Sequence, residues 1–283
     1  MMEFRAILLR PKGPLTEIPK ADTLFGAIAS AVAVLYDNKA VEKLVDAFKG
    51  GARISSAFPY FNDTFYLPKP LSVELVDFGK EYGEAKRIRR AKYLDVRNFE
   101  RALRLEPFEA PEMNVYEKVS IPRVVLDRVT NDSALYFWDE VRFREGAGLY
   151  FLYSGPDDVF RDYIEPAVRL LGDTGIGGKS TWGFGLFEPE FSKLKIDAPD
   201  SEYEVTLSNA LPTKKPVLWR IFRKGGWSFE RRKPKMTFIE EGSVVKNDPG
   251  RFEELDLGLS FRVHIYGLTF PVPTLLPDME GLK

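Results

Sequence analysis

Residues 172–185 read GDTGIGGKSTWGFG, six glycines set around a lysine and two hydroxyl residues. Backbone N–H groups that no side chain screens can curve into a concave site for an anion. Gly175, Gly177 and Gly178 would supply those donors, and Lys179, Ser180 and Thr181 add a cation and hydroxyls. A nucleotide-binding P-loop needs a glycine five positions before Gly178, where this chain has Asp173, and it leads from a strand into a helix whose N-terminus meets the phosphates. Here a helical pattern leads into a strand pattern. The chemistry implied is phosphate holding without nucleotide hydrolysis, against the plainer alternative of a flexible helix-to-strand connection.

Other side chains could join such a site. Lys20 stands where the first helix pattern begins, beside N–H groups able to receive a phosphate, while Asp22 and Thr23 have the chemistry of helix caps. The hydroxyls of Ser55 and Ser56 suit either a sugar or phosphate, or local turn bonds. Arg123 and Arg128 are further candidate cations, but their odd spacing keeps them off a common face of a regular strand. Trp182, inside the glycine run, is either a lid that packs the loop down or a platform for a base.

The single histidine, His264, falls on a strand pattern with Arg262 and Tyr266. Such a group could move protons in metal-independent RNA cleavage, yet a lone histidine without a paired base is more often a surface or partner-facing residue. With no cysteine, disulfides and thiolate metal sites are excluded, and any metal would rest on carboxylates. No catalytic residue, metal or cofactor is expected.

The net charge of −1 hides an uneven distribution. Residues 86–104 carry eight basic and two acidic residues, and residues 214–235 carry nine and one. Both runs are interleaved with aromatics (Tyr93, Phe99; Trp219, Phe222, Trp227, Phe229), a composition suited to unpaired bases. Basic patches on an acidic remainder suit a polyanion on one surface and protein partners on another. No apolar run approaches the roughly 20 residues that span a bilayer, and charges interrupt the N-terminal stretch where a signal peptide is apolar. A cytoplasmic protein without membrane contact is expected.

The elements that must position these residues follow from periodicity. Residues 3–10 alternate as a strand with Phe4, Ala6 and Leu8 on one face, and residues 23–36 form a helix apolar nearly all round, expected to be buried against a sheet. Short strands broken by Pro59, Pro68 and Pro70 follow, then the basic segment, then strands over "IPRVVLDRV", "SALYFWDEVRF" and "GLYFLY". A second helix covers residues 157–172, with Asp157 as a candidate cap and Gly172 as its stop, before "FGLFEPEF" returns to strand. This is the βαββαβ order of a ferredoxin-like unit with a long insertion. The expected fold class is α+β. Residues 1–195 would form one ferredoxin-like (RRM-like) module, with its insertion at about 80–130. Residues 196–283, mostly strands, would form a second and degenerate module.

The spacing Gly175, Gly177, Gly178, Gly183, Gly185 between a last helix and a last strand resembles the glycine-rich loop of the RAMP superfamily of CRISPR proteins. The stretches "IPKADTLFGAI", "SSAFPYF", "YLPKPLS", "IPRVVLDRVT", "LYFWDEVRF", "GLYFLY", "EEGSVV" and "YGLTFPVP" narrow the resemblance to the family that forms subunit four of the Csm (type III-A) effector complex. That resemblance implies a non-catalytic subunit that grips the 5′ tag of CRISPR RNA and docks the large polymerase-like subunit and a backbone RAMP subunit. The alternative within the superfamily is a metal-independent CRISPR RNA-processing endoribonuclease. The resemblance also implies a protruding hairpin within about 80–130. Tyr93, Leu94 and Phe99 are candidate wedges between bases, unless Ile88, Tyr93, Val96, Phe99 and Leu103, at roughly helical spacing, simply pack a helix on its own domain.

Overall fold

The computed structural model describes residues 1–110, 112–126, 133–228 and 230–278; Arg128 and Phe229 lie outside them. Strand β1 (Met2–Pro11) leads to helices α1 (Ala21–Leu35) and α2 (Asn38–Lys49). The strands β2 (Arg53–Ile54), β3 (Phe58–Phe61) and β4 (Thr64–Pro68) follow, then α3 (Tyr82–Arg90), β5 (Tyr93–Asp95) and α4 (Val96–Leu103). A long hairpin, β6 (Tyr116–Leu126) and β7 (Ser133–Phe143), precedes β8 (Ala147–Ser154). The helical segments α5 (Asp157–Val159), a π turn (Phe160–Ile164) and α6 (Glu165–Thr174) then lead to β9 (Phe187–Ile196). Beyond it come β10 (Tyr203–Thr206), β11 (Ile221–Ser228), β12 (Arg231–Ile239), β13 (Val244–Lys246), β14 (Glu253–Leu255), β15 (Val263–Ile265) and β16 (Pro271–Pro273), with no helix among the described residues after β9.

The main sheet runs β5-β4-β3-β8-β1-β9, with β2 also paired to β8. Central β1 is antiparallel to both neighbours, with Ile7 opposite Phe151 and Phe191. Because side chains alternate along a strand, β1 feeds two cores. Ile7 and Leu9 meet Phe25, Ile28, Phe48 and Ile164 of the helical layer. Phe4, Ala6 and Leu8 meet Phe58 and Leu94 together with Leu207 and Phe270 from beyond β9. The second core therefore crosses the 195/196 boundary. Smaller antiparallel sheets complete the α/β structure: β13-β10-β16 and the pairs β11-β12, β14-β15 and β6-β7.

Several local expectations change. In α1, Leu24, Phe25, Ile28 and Val32 are buried, but Val34, Leu35 and Tyr36 at its end are exposed. The second helix runs past Gly172 to Thr174 and stops at Gly175, whose φ of +86° glycine adopts without cost. Gly172 instead lets α6 approach β9, since a Cβ there would lie 2.8 Å from the Phe187 carbonyl. In the basic segment, β5 adds to the edge of the main sheet through Tyr93 opposite Pro68, and Tyr93, Leu94 and Phe99 are buried in the second core. None of the three is free to wedge between bases. The long hairpin is β6–β7 instead, eleven residues in each strand. No described helix is long and apolar enough to cross a membrane.

Candidate nucleic-acid interface

The glycine loop is fastened at both ends and open in the middle. Gly175 donates its N–H to the Leu171 carbonyl (2.7 Å), so it caps α6 and is not a free donor. Ile176 is buried and its N–H binds the Gly185 carbonyl (3.0 Å), while Gly185 donates to the Pro14 carbonyl (2.9 Å). Between these anchors, no loop or cap bond among the described residues uses the N–H of Gly177, Gly178, Lys179, Ser180 or Thr181. A Cβ on Gly177 or Gly178 would have no neighbour nearer than Thr16 Oγ1, at 3.9 and 3.6 Å respectively. Packing thus leaves that space open to a ligand. The sequence-predicted residues Gly177, Gly178, Lys179, Ser180 and Thr181 are brought together as one arc of donors.

The loop sits against the base of the hairpin. Leu15 and Val141 exchange backbone hydrogen bonds (3.0 and 2.7 Å), and Lys12 donates to the Leu186 carbonyl (2.9 Å), so residues 12–15 tie β7 to the loop. Register puts Arg123 opposite Tyr136 and Ile121 opposite Trp138, on one face of the hairpin. Trp138 is buried there, stacked on Phe184 (5.3 Å between centroids) and edge-on to Trp182 (5.2 Å). Lys179 Nζ lies over the Trp138 ring at 2.8 Å from its centroid, and the Arg123 guanidinium lies at 5.4 Å. Desolvation, and then the Arg123 charge, draw the Lys179 ammonium below its ordinary pKa, while Glu140 acts the other way. Trp182 contacts Trp138 yet keeps 68% of its surface exposed, so it is a lid along one edge and a free ring elsewhere. Trp138 was overlooked in sequence, because its place beside Arg123 follows from the hairpin register that sets it opposite Ile121.

The opposite face of the hairpin is apolar. Val124 pairs with Leu135 and Pro122 with Phe137, and Val124, Leu126, Leu135 and Phe137 are all exposed. A cleft of about 1170 Å³ opens beside the hairpin base, where Arg10, Lys12, Arg142 and Arg144 line it with Asp63 and Glu145.

Lys20, Ser55 and Ser56 lie apart from this cluster in their bonding. Ser55 Oγ donates to the Ser56 carbonyl (2.8 Å) and accepts from the Leu152 N–H (2.8 Å). Ser56 Oγ accepts from the Ala21 N–H (3.0 Å) and donates to Glu241 (2.5 Å). Both residues are buried, so their hydroxyls are committed inside the protein and the expectation that they touch RNA gives way to a packing role. The N-cap position of α1 is Lys20, whose side chain makes no capping bond, so neither Asp22 nor Thr23 caps the helix; Ser56 takes the Ala21 N–H instead, and the Asp22 N–H donates to Asn209 Oδ1 (3.3 Å). Asp22 and Thr23 instead hold Lys224. Lys20 is paired to Glu241 (2.5 Å) and lies over Phe222 (4.5 Å), lining a cavity of about 290 Å³ together with Lys92. Arg128 lies outside the described residues.

His264 does not join Arg262 and Tyr266 in a proton-moving group, and its side chain is not on the open surface either. Its side chain is 6% exposed, with Nε2 3.3 Å from Glu42 and Nδ1 3.8 Å from Glu254. Tyr266 is buried with its hydroxyl bonded to the Ile54 backbone, and Arg262 pairs with Asp256. Among the described residues no cluster of three or more histidines and carboxylates could hold a metal ion.

Residues 15–188 match the model of the RAMP superfamily. Over its full length the chain is 66% identical to the CRISPR system Cms protein Csm4 of Thermococcus onnurineus (strain NA1), also covered in full. The chain belongs to the Csm4 family of the RAMP superfamily. It is 58% identical to a chain of the Csm1–Csm4 cassette crystallised in complex with cA4, with a TM-score of 0.85 over 98% of this chain and 100% of that one. It shares the fold of a chain in the Csm3–Csm4 subcomplex of the type III-A interference complex, with a TM-score of 0.70 at 18% identity over 96% and 99% of the two chains.

Proposed function

We propose that the chain is a non-catalytic RNA-binding subunit of a cytoplasmic type III-A CRISPR effector complex, gripping the 5′ tag of the CRISPR RNA. The observation that carries this reading is the open glycine arc from Gly177 to Thr181, where a Cβ on Gly177 or Gly178 would meet nothing nearer than Thr16, flanked by Lys179, Arg123 and the open ring of Trp182. An open stretch of glycine backbone beside a cation and a free aromatic ring suits a phosphate and its neighbouring base in a single strand. Lys20 would meet the same strand further along, while Ser55 and Ser56 act by holding α1 in place.

The antiparallel order β3-β8-β1-β9, with helices between its first and last strand pairs, supports a ferredoxin-like first module, residues 1–195. The remainder, 196–283, which has no helix among its described residues, is read as a degenerate second one. Within the first, β6–β7 is the protruding hairpin, and its exposed Val124, Leu126, Leu135 and Phe137 are the candidates to press between bases. Relatives crystallised with Csm1 and with Csm3 support docking of a large polymerase-like subunit and a backbone RAMP subunit. RNA cleavage finds no support at His264, which two glutamates enclose.

The test is co-purification of the chain with its complex, followed by sequencing of bound RNA 5′ ends, and incubation of the purified chain with labelled repeat RNA in chelator. A single repeat-derived 5′ end and intact RNA are expected. Heterogeneous ends, or cleavage without metal, would overturn the assignment.

A further inference from the structure

The second basic run, residues 214–235, is not part of the glycine-loop cluster, and the structure gives it a two-sided form. Across β11–β12, Phe222 is opposite Phe238 and Lys224 opposite Met236, and this side packs with Leu211 and with Val263 and Ile265 of β15 and is tied to the start of α1. Phe222 and Phe238 stack at 5.6 Å, Lys20 lies over Phe222, and Lys224 binds Asp22 and Thr23. The register slips between Lys224 and Gly226, which leaves Pro234 as the extra residue and keeps Arg223, Gly225 and Trp227 alternating on the outer side. Arg232, directly opposite Trp227, and Lys235 share that side.

We propose that this outer face of β11–β12 is a second binding surface for single-stranded RNA, separate from the glycine loop. Arg223, Arg232 and Lys235 are exposed, and none of them makes an ion pair among the described residues. Trp227 is 66% exposed, and its partner across the hairpin is Arg232. Cations with no internal partner around an accessible indole match a phosphate backbone and the face of a base. Between Arg223 and Trp227, Gly225 leaves the outer side bare of a side chain. Its φ is not positive, and a Cβ there would meet only ordinary contacts, 3.4 Å from the Lys233 carbonyl and Lys235 Cγ. The notch at this bulge, between Arg223 and Trp227, gives a flat ligand access to the backbone.

The probe is a fluorescein-labelled oligouridine without repeat-derived sequence, titrated into the full chain at several salt concentrations. The triple variant Arg223→Gln, Arg232→Gln, Lys235→Gln should lower the slope of log affinity against log salt by about 2, at about 0.7 per lost phosphate contact. Trp227→Ala should weaken binding about tenfold and Trp227→Phe should recover most of it. Gly178→Val, in the glycine loop, should leave these differences intact, so failure here is distinct from failure of the tag grip. Unaltered slope and affinity in variants that melt like the wild type, or no measurable oligouridine binding by the wild type, would overturn the proposal. So would variants that keep RNA affinity but lose a co-purifying protein subunit, which would make the occupant an acidic protein.

Discussion

Replacing Ser56 with alanine separates a packing role from an RNA contact. Its hydroxyl accepts from the α1 N–H of Ala21 at 3.0 Å, donates to Glu241 at 2.5 Å and is reached weakly by the Asn209 N–H at 3.4 Å. Removal orphans the buried Ala21 donor, which costs about 1–3 kcal/mol, and removes a charge-assisted bond worth about 1.5–3 kcal/mol. Glu241 keeps its pairing with Lys20 at 2.5 Å, which offsets part of the second loss. A net destabilisation of about 2–4 kcal/mol follows, or a fall in melting temperature of roughly 3–7 °C in a chain of this size. Chemical denaturation gives the first quantity and calorimetry the second. RNA affinity of the folded variant should match the wild type. A variant with unchanged stability and weakened RNA binding would refute the reasoning and return Ser56 to the RNA interface.

Lys179→Ala should weaken binding of tag RNA about fivefold, read by fluorescence anisotropy, since one charge-assisted contact goes while the backbone donors remain. Adding Arg123→Gln should weaken it further and flatten its salt dependence, and an unchanged salt slope would count against both residues. Burial holds the phenols of Tyr93, Tyr150, Tyr153 and Tyr266 above their ordinary pKa. Their contribution to stability is full below about pH 10, where the unfolded phenols are still protonated, and is lost as pH rises toward the folded values. Tyrosinate absorbance should therefore rise in two phases, the second coincident with alkaline unfolding seen by circular dichroism. A single smooth phase in a folded protein would contradict those burials.

The order strand, helix, strands, helix, strand through β9 was legible because its cues are local: alternation along β1, the apolar run of α1 and the glycine spacing before β9. The basic segment was misleading because composition does not tell which side of a charged stretch turns inward. There, Phe99, Ala102 and Leu103 of α4 are buried while Arg97 and Arg101 stay exposed. Helix α2 was missed although Asp37 caps the Ala40 N–H at 2.8 Å and Ala40, Leu44, Val45 and Phe48 keep helical spacing. The Ser56 hydroxyl lies 35 residues from the Ala21 N–H it binds, a pairing that no local pattern encodes. At the candidate site, the loop glycines and Lys179 were readable from their chemistry. Trp138 and the bracing by residues 12–15 were not, because they depend on where the hairpin returns to the sheet.

The central claim is that the open arc from Gly177 to Thr181 holds RNA phosphate. Gly178→Val addresses it most directly, because Gly178 does not have a positive φ and its nearest neighbour, Thr16 Oγ1 at 3.6 Å, leaves room for a Cβ. The added side chain fills the concavity without straining the backbone. With melting matched to the wild type, the equilibrium affinity for labelled tag RNA should fall at least about tenfold, the equivalent of one charge-assisted hydrogen bond. An affinity equal to the wild type in that folded variant would contradict the account.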